Sequence, residues 1–166
     1  ISKQYGAKAI LRPSELANDI IHPEPAIIHA LLNFLEFEGF LPECTLMLQP
    51  TSPIRKVTDL DTAIDDVLYG KFNSSISGTR THNFIWEKDA SSEWIAPYGD
   101  KRPRRQDFYQ ITETGSFYAF NTLKFLQKGD RIIKPTNIVE TDELSSYEID
   151  SPIEWEIMET LIQFNK

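Results

Sequence analysis

A proline-rich turn at the end of an apolar run constrains this chain more than any other feature of its sequence. Residues 48–55 read Leu-Gln-Pro-Thr-Ser-Pro-Ile-Arg and directly follow the apolar segment 45–48. The two prolines restrict the backbone and hold Gln49, Thr51 and Ser52 in few orientations. In an open α/β sheet, ligands bind at the carboxyl ends of the strands. The pattern predicts a polar binding turn at a strand end, although the bare Thr-Ser-Pro tripeptide also fits a plain strand-to-helix connection.

Apolar periodicity predicts that helices and strands alternate along the 166 residues, a length that fits one domain. We expect helices over 25–37, 59–69, 122–128 and from Pro152 to about 164, and strands over 7–11, 45–49, 73–81, 116–120 and 132–139. The first residues resemble the end of a helix with Gly6 as its C-cap. Such alternation favours an α/β domain.

Charge and cysteine content exclude several classes of protein. The net charge of −8 argues against a general nucleic-acid binder, although a local arginine cluster can still receive a small anion. Cys44 is the only cysteine, so the sequence predicts neither an internal disulfide nor a cysteine-based zinc site. No apolar stretch approaches the roughly 20 residues of a membrane span, and the first residues are unlike a signal peptide. We therefore expect a cytoplasmic enzyme or binding protein without a membrane partner.

Residues 82–107 differ from the rest of the chain, because they lack helical periodicity and are rich in aromatic side chains. Their short apolar pairs predict a β excursion from the main sheet. The apolar residues of this excursion would be unfavourable in water, so we expect a second subunit to bury them in an isologous homodimer; they are Phe84, Ile85, Trp86, Trp94 and Ile95.

Two arginine-containing segments are candidates for binding an anion. Arg102, Arg104 and Arg105 fall within four positions, and guanidinium groups suit carboxylates and phosphates bidentately. A solvated basic loop is the alternative. Arg12 precedes Pro13, which forces an extended exit and places Arg12 near the end of the predicted strand 7–11, where a surface turn is the alternative.

A pair of carboxylates precedes the last predicted helix. Glu148 and Asp150 lie on the same side of an extended segment, because side chains alternate along a strand and Ile149 points the other way. Two such carboxylates can share Mg²⁺. The alternative is that Asp150 and Ser151 merely begin the helix.

Together these segments resemble the acylneuraminate cytidylyltransferases, also called CMP-sialic acid synthetases. Five family patterns occur in family order and extend from Arg12 to Trp155. Three residues depart from them, since Ile54 stands where the family has Leu, Thr114 where it has Asn, and Glu148 replaces the first Asp of an Asp-Ile-Asp motif. The patterns are R-P-x-E-L-A-x-D from Arg12, L-Q-P-T-S-P-L-R from Leu48, R-P-R-R-Q-D from Arg102, E-N-G-S-F-Y from Glu113 and D-I-D from Glu148.

The resemblance implies a three-layer nucleotidyltransferase (Rossmann-like) sheet with a small β dimerisation excursion, in a single domain over 1–166. It also implies roles for individual residues. Arg104 and Asp150 would be catalytic, and Glu148 with Asp150 would bind Mg²⁺. The implied substrate-binding residues are Arg12 for the nucleotide, Gln49 and Tyr118 for the sugar, Arg102 and Arg105 for negative charge, together with Thr51, Ser52 and Gln106. For Tyr118, a tyrosine buried in a core strand is the alternative.

The implied reaction is transfer of CMP from CTP to a nonulosonic acid, with release of pyrophosphate. The alternatives are a related keto acid, such as legionaminic or octulosonic acid, and a non-catalytic dimerising remnant. The family's Gly-Ser-Lys-Gly phosphate loop is missing, and the chain has only seven glycines. We therefore expect either an N-terminally truncated form or a divergent descendant, with this chain alone inactive or impaired.

Overall fold

The structure is a computed structural model that describes residues 1–18 and 20–164. The described residues form α-helices and strands that alternate along the chain, except that four strands follow one another between residues 74 and 121. The helices are Pro23–Glu38 (α1), Val57–Leu68 (α2), Thr122–Lys128 (α3) and Pro152–Phe164 (α4). The strands are Cys44–Leu48 (β1), Ser74–Thr81 (β2), Glu87–Lys88 (β3), Trp94–Ile95 (β4), Gln110–Asn121 (β5) and Thr136–Thr141 (β6).

The main sheet has the strand order β1-β5-β2-β6. β5 runs antiparallel to both of its neighbours, whereas β2 and β6 are parallel. The strands β1, β2 and β6 consequently point the same way, and their carboxyl ends meet at one edge of the sheet. We call this the carboxyl edge. The first half of β5 lies at the same edge, because Thr81 pairs with Gln110 and Leu48 pairs with Phe117.

Helices cover both faces of the sheet, because successive residues of β5 point to opposite sides. Phe117 and Ala119 pack with Ala63 and Val67 of α2 on one face. On the other face, Tyr118 and Phe120 pack with residues of α1 and α3, including Leu31 and Phe125. The described chain therefore forms a helix–sheet–helix arrangement, and the predicted three-layer α/β architecture is confirmed.

Most predicted elements are present, with shifted ends. The helix predicted over 122–128 is confirmed, as is the left-handed Gly6 at the end of a short 3₁₀ helix, Ser2–Tyr5. The start of α4 is also confirmed, because Ser151 Oγ donates to Glu154 Oε2 over 2.8 Å at the N-terminus. The strand predicted over 132–139 begins later, at Thr136.

The strand predicted over 7–11 is wrong. These residues are exposed and belong to none of the described strands, with Leu11 93% exposed. An extended segment becomes a stable strand only when a neighbour satisfies its backbone groups, and the described residues supply no ladder partner for this one.

The excursion over 82–107 carries a separate hairpin of β3 and β4, which pair antiparallel. Its base is an edge-to-face aromatic cluster in which the rings of Phe84 and Tyr98 lie 5.0 Å apart and those of Trp86 and Tyr98 lie 6.1 Å apart. His82 connects the start of the excursion to the residue that follows its end, since its Nδ1 lies 2.8 Å from the Phe108 carbonyl oxygen. Within the described part of the chain, no helix is both long and apolar enough to cross a membrane.

Candidate active site at the carboxyl edge

The proline-rich turn leaves β1 at the carboxyl edge and is joined to the segment before α4. The amide of Ser52 donates to the Gln49 carbonyl over 3.2 Å, which closes the turn. The Ile149 amide donates to the Thr51 carbonyl over 2.9 Å. The buried Ser52 hydroxyl donates to Glu148 Oε1 over 3.2 Å. Two segments about a hundred positions apart therefore share one polar junction.

Gly115 forms the floor of this junction. It lies in β5 with φ of 66°, where the pairing of β2 with β5 changes register between Ile76 and Gly78. A Cβ atom at Gly115 would lie 2.7 Å from Gln49 Oε1, 2.8 Å from Glu148 Oε1 and 3.7 Å from the Tyr118 hydroxyl. The absence of a side chain thus lets an amide, a carboxylate and a phenol from three elements converge.

A cleft of about 340 Å³ opens beside the junction. Its walls are rich in hydroxyl and carboxylate groups, which suit a ligand with many hydrogen-bonding groups. The Thr114 side chain is buried, and its hydroxyl has no hydrogen-bond partner among the described residues. The lining includes Thr79, Thr81, Thr112, Glu113, Thr114 and Glu148.

Tyr118 faces the junction with its hydroxyl already engaged. The phenol donates to Glu113 Oε1 over 2.5 Å. Burial, reinforced by the hydrogen bond to Glu113, raises the pKa of Tyr118, so the phenol keeps its proton at neutral pH. Because that proton points to Glu113, the phenol oxygen acts as an acceptor towards other groups, and the nearby Arg131 can use one of its two lone pairs. Sequence reasoning missed Glu113, since residues five apart face opposite sides of a regular strand and only the irregularity at Gly115 brings them together.

Arg55 is a second residue that sequence reasoning left without a role, although it ends the octapeptide. Its Nε donates to Ser116 Oγ over 3.0 Å and to the Ser116 carbonyl over 3.2 Å. Another guanidinium nitrogen donates to the Gln49 carbonyl. Arg55 therefore ties the turn after β1 to β5 beside Gly115.

The segment that carries the two predicted metal ligands is anchored at its start. Lys56 Nζ lies 2.8 Å from Asp142 Oδ2, and Asp142 also accepts from the Ser145 hydroxyl over 2.7 Å. The hydrogen bond from Lys56, followed by that from Ser145, lowers the pKa of Asp142 to about 2. The chain between β6 and α4 is therefore held against the start of α2.

Glu148 and Asp150 suit Mg²⁺ in their chemistry but do not form a closed cage. Glu148 is half-buried at the junction, whereas Asp150 is exposed and its amide donates to Glu154 Oε2 over 2.9 Å. Among residues 1–18 and 20–164, no group of three or more His, Cys, Asp or Glu side chains is placed to hold a metal. Mg²⁺ is usually bound by one or two carboxylates together with water and substrate phosphates. The pair fits that open mode of binding.

The predicted arginine residues lie away from the junction. The Arg102 guanidinium stacks over the Phe84 ring at 4.8 Å, and Arg105 lies over the same ring at 6.0 Å. Arg104 pairs with Asp107, with Nε 2.6 Å from Oδ2. These contacts, like the exposed Gln106, belong to the excursion and the turn that ends it. Arg12 is exposed, and none of the contacts described brings it to the cleft.

The sequence of the chain is similar to those of curated enzymes. The chain is 26% identical over 178 aligned positions to CMP-N,N'-diacetyllegionaminic acid synthase of Legionella pneumophila, which covers 100% of the chain and 74% of that protein. It is 27% identical to N-acylneuraminate cytidylyltransferase of Escherichia coli O18:K1:H7, over 98% of the chain and 39% of that enzyme. The chain is a homologue of the acylneuraminate cytidylyltransferases.

Further comparisons give a third curated relative and a solved structure with the same fold. N-acylneuraminate cytidylyltransferase A of Danio rerio is 30% identical over 118 positions, which are 68% of the chain and 27% of that protein. The chain thus spans about a quarter to three quarters of these relatives. No protein-family model matches the chain. A 4-diphosphocytidyl-2C-methyl-D-erythritol synthase from Anaerococcus prevotii shares the fold, with a TM-score of 0.54 and 15% identity over 86% of the chain and 67% of its own.

Proposed function

We propose that the protein transfers CMP from CTP to an N-acylneuraminate or a closely related nonulosonic acid. The observation that supports the proposal best is the junction at Gly115, where Gln49, Glu148 and Tyr118 meet beside a hydroxyl-rich cleft. A nine-carbon sugar acid has the many hydroxyl groups that such a cleft can bind. The cytidylyltransferase homologues supply the nucleotide half of the proposal.

In the proposed reaction, the anomeric oxygen of the acid bonds to the α-phosphorus of CTP. The bond from that phosphorus to the β-phosphate oxygen breaks, pyrophosphate leaves and the hydroxyl proton is lost to solvent. Such a step depends mainly on positioning and on neutralisation of phosphate charge. Gln49 and Tyr118 would orient the sugar, with Thr51 and Ser52 shaping the turn. Arg12 would contact the nucleotide.

The charged residues would bind Mg²⁺ and the carboxylate of the acid. Glu148 and Asp150 would hold Mg²⁺, which supplies positive charge to the phosphates. Three glutamates line the cleft, namely Glu113, Glu143 and Glu148, and the arginine in the same lining, Arg80, already pairs with Glu140. The carboxylate of the acid would therefore be directed towards a cationic group outside the cleft. Arg102, Arg104 and Arg105, with Gln106, would provide that group.

The excursion suggests how the arginine residues could reach a site. We propose a homodimer in which the excursion of one subunit lies against its counterpart, so that its arginine residues approach the partner's cleft. The exposed apolar surface of the hairpin supports this arrangement.

Legionaminic acid is the second candidate acid, because the relative named for it aligns over the whole chain. Pyrophosphate release by the full-length protein with CTP and Mg²⁺ would distinguish the candidates, with N-acetylneuraminic, N,N'-diacetyllegionaminic and octulosonic acids assayed in parallel. Turnover with none of them would contradict the proposed reaction. Calorimetric binding of CTP or an acid without turnover would instead favour a non-catalytic remnant.

Substitution of Asp150 tests the carboxylate pair. Asp150→Asn should reduce pyrophosphate release at least about a hundredfold while leaving the fold intact, because catalysis of this kind depends on charge at the phosphates. Glu148→Asp should retain more activity than Glu148→Gln, since it keeps the carboxylate. Asp61→Asn, an exposed change on α2, is the matched control and should leave the rate unchanged. Activity of Asp150→Asn within a few-fold of wild type would contradict the assignment.

A further inference from the structure

A chain of contacts between charged and aromatic groups runs from the start of α1 to the candidate site. Glu24, in the first turn of α1, pairs with Arg131 in the connection between α3 and β6. The Arg131 guanidinium carbon lies 4.4 Å from the centroid of the Tyr118 ring. The Tyr118 hydroxyl in turn donates to Glu113 at the cleft. The four residues come from three separate parts of the sequence, since Tyr118 and Glu113 both lie in β5.

Stability alone does not explain the ion pair at the centre of this chain. The side chains of Arg131 and Glu24 are only 20% and 15% exposed. Removing such a pair from water costs free energy that its mutual attraction barely recovers, and apolar residues of similar volume are often as stable. Arg131 Nε is in addition buried without a hydrogen-bond partner among the described residues. A placement that leaves a buried donor unsatisfied points to a constraint other than stability.

The constraint that the geometry suggests is the orientation of the Tyr118 ring. The ring belongs to the same core cluster as Phe120 and Phe125. The Arg131 guanidinium lies over the ring. Glu113 fixes only the direction of the hydroxyl proton, and it is itself exposed. Arg131 is restrained in turn by Glu24, because the ion pair ties its long side chain to the first turn of α1.

We propose that Arg131, held by Glu24, is a positioning residue that fixes the Tyr118 phenol at the Gly115 junction beside the cleft. The proposal rests on the proposed function in one respect, because it assigns Tyr118 to the sugar acid. The phenol oxygen lies 3.7 Å from the Cβ position of Gly115, where Gln49 and Glu148 also converge. Fixed there, it accepts a hydrogen bond from a hydroxyl group of the acid. If Arg131 is removed, the ring rotates more freely and the acid binds less tightly.

Two readouts test this proposal, one of which does not depend on turnover. NMR signals from ring-labelled tyrosine, with Tyr118 assigned by Tyr118→Phe, report the environment of the ring. Steady-state kinetics separate the KM values for the acid and CTP from kcat. The variants are Arg131→Gln, Arg131→Lys and Glu24→Gln. Lys134→Gln is the control, because it removes an exposed cation from the same connection.

Arg131→Gln should move the Tyr118 ring signals and raise the KM for the acid about fivefold to thirtyfold, the effect of losing one contact of ordinary strength. The KM for CTP and kcat should change by less than about twofold, as expected when only ground-state binding is lost. Glu24→Gln should act in the same direction. Arg131→Lys should recover part of the affinity, since it keeps the charge beside Glu24 but lacks a flat group over the ring. Lys134→Gln should change neither readout.

Unchanged Tyr118 signals in Arg131→Gln would overturn the proposal, whatever the kinetics. So would shifted signals with an unchanged KM for the acid. A fall in kcat and thermal stability with no change in that KM would also overturn it, because a merely structural role would have this effect. A wild-type protein without turnover would contradict the proposed function instead, and the NMR comparison would still decide whether Arg131 and Glu24 position Tyr118.

Discussion

At the scale of single residues, Arg55 connects the two sides of the candidate site. It donates to Ser116 through Nε and to the Gln49 carbonyl through its terminal nitrogen. Burial lowers the pKa of Arg55, but an arginine remains charged at physiological pH. The planar guanidinium can reach both acceptors at once, which an ammonium group on a flexible stem does poorly.

Arg55→Lys should therefore destabilise the fold by about 1–3 kcal/mol, because partly buried carbonyl groups would lose their donors. Urea unfolding followed by circular dichroism measures the change. Arg104→Lys is the matched control, since Arg104 is exposed and, within the described part of the chain, pairs only with the nearby Asp107. This variant should stay within about 0.5 kcal/mol of wild type. Equal stabilities of the two variants would show that the hydrogen bonds of Arg55 to the turn and to β5 do not stabilise the fold.

The sequence predicts the residues of the junction better than it predicts the contacts among them. Gln49, Ser52 and Glu148 were singled out from local motifs, and the fold places all three within one small region. Their roles stay predictions. Glu113 could not be paired with Tyr118 from spacing alone, because the pairing depends on an irregularity in β5. Arg12 was placed by a predicted strand over 7–11 that the structure lacks.

At the scale of elements, the irregularity in β5 determines the shape of the site. The register of β5 against β2 changes between Ile76 and Gly78, and Gly115 has a left-handed conformation there. A regular strand would carry a side chain into the space that Gln49 and Glu148 occupy. Strand period and apolar pattern predict where β5 runs, but they do not predict where its pairing slips, since slippage depends on the partner strand.

Gly115→Ala tests whether the irregularity matters for binding, and Gly129→Ala is the matched control. Both glycines have positive φ, 66° and 72°, so either substitution should cost about 1–2 kcal/mol of stability through backbone strain. A Cβ at Gly129 meets nothing within 4 Å, whereas at Gly115 it would displace Gln49 and Glu148. Only Gly115→Ala should therefore weaken binding of the acid, by about tenfold or more.

Calorimetric titration of the acid into each variant, at matched folded fractions from thermal unfolding, separates the two effects. Wild-type affinity in Gly115→Ala would mean that Gln49 and Glu148 do not bind the acid. An equal loss of affinity in Gly129→Ala would mean that general destabilisation, and not the junction, governs binding.

At the scale of the whole molecule, the excursion is the part least stabilised by the rest of the chain. β3 and β4 have two residues each, and a two-stranded hairpin is marginal in water on its own. Its apolar residues are nevertheless exposed, with Ile85 at 50%, Trp86 at 47%, Trp94 at 63% and Ile95 at 52%. Such a surface is more stable when a partner covers it. Composition alone predicts the excursion and its apolar character, but not how two copies would fit together.

A second copy of the chain is the partner we expect, because a hairpin that pairs with its own counterpart makes a closed, isologous contact. Trp86→Asp should then yield monomers, since it places a charge in the apolar centre of that contact. It should also abolish activity if the arginine residues of one subunit serve the cleft of the other. Trp155→Asp is the matched control, because Trp155 is 55% exposed but lies on α4, outside the excursion. Light scattering coupled to size exclusion at micromolar concentration measures the outcome. A monodisperse monomer of the unmutated protein would contradict the dimer, and a dimeric Trp86→Asp would place the contact elsewhere on the surface.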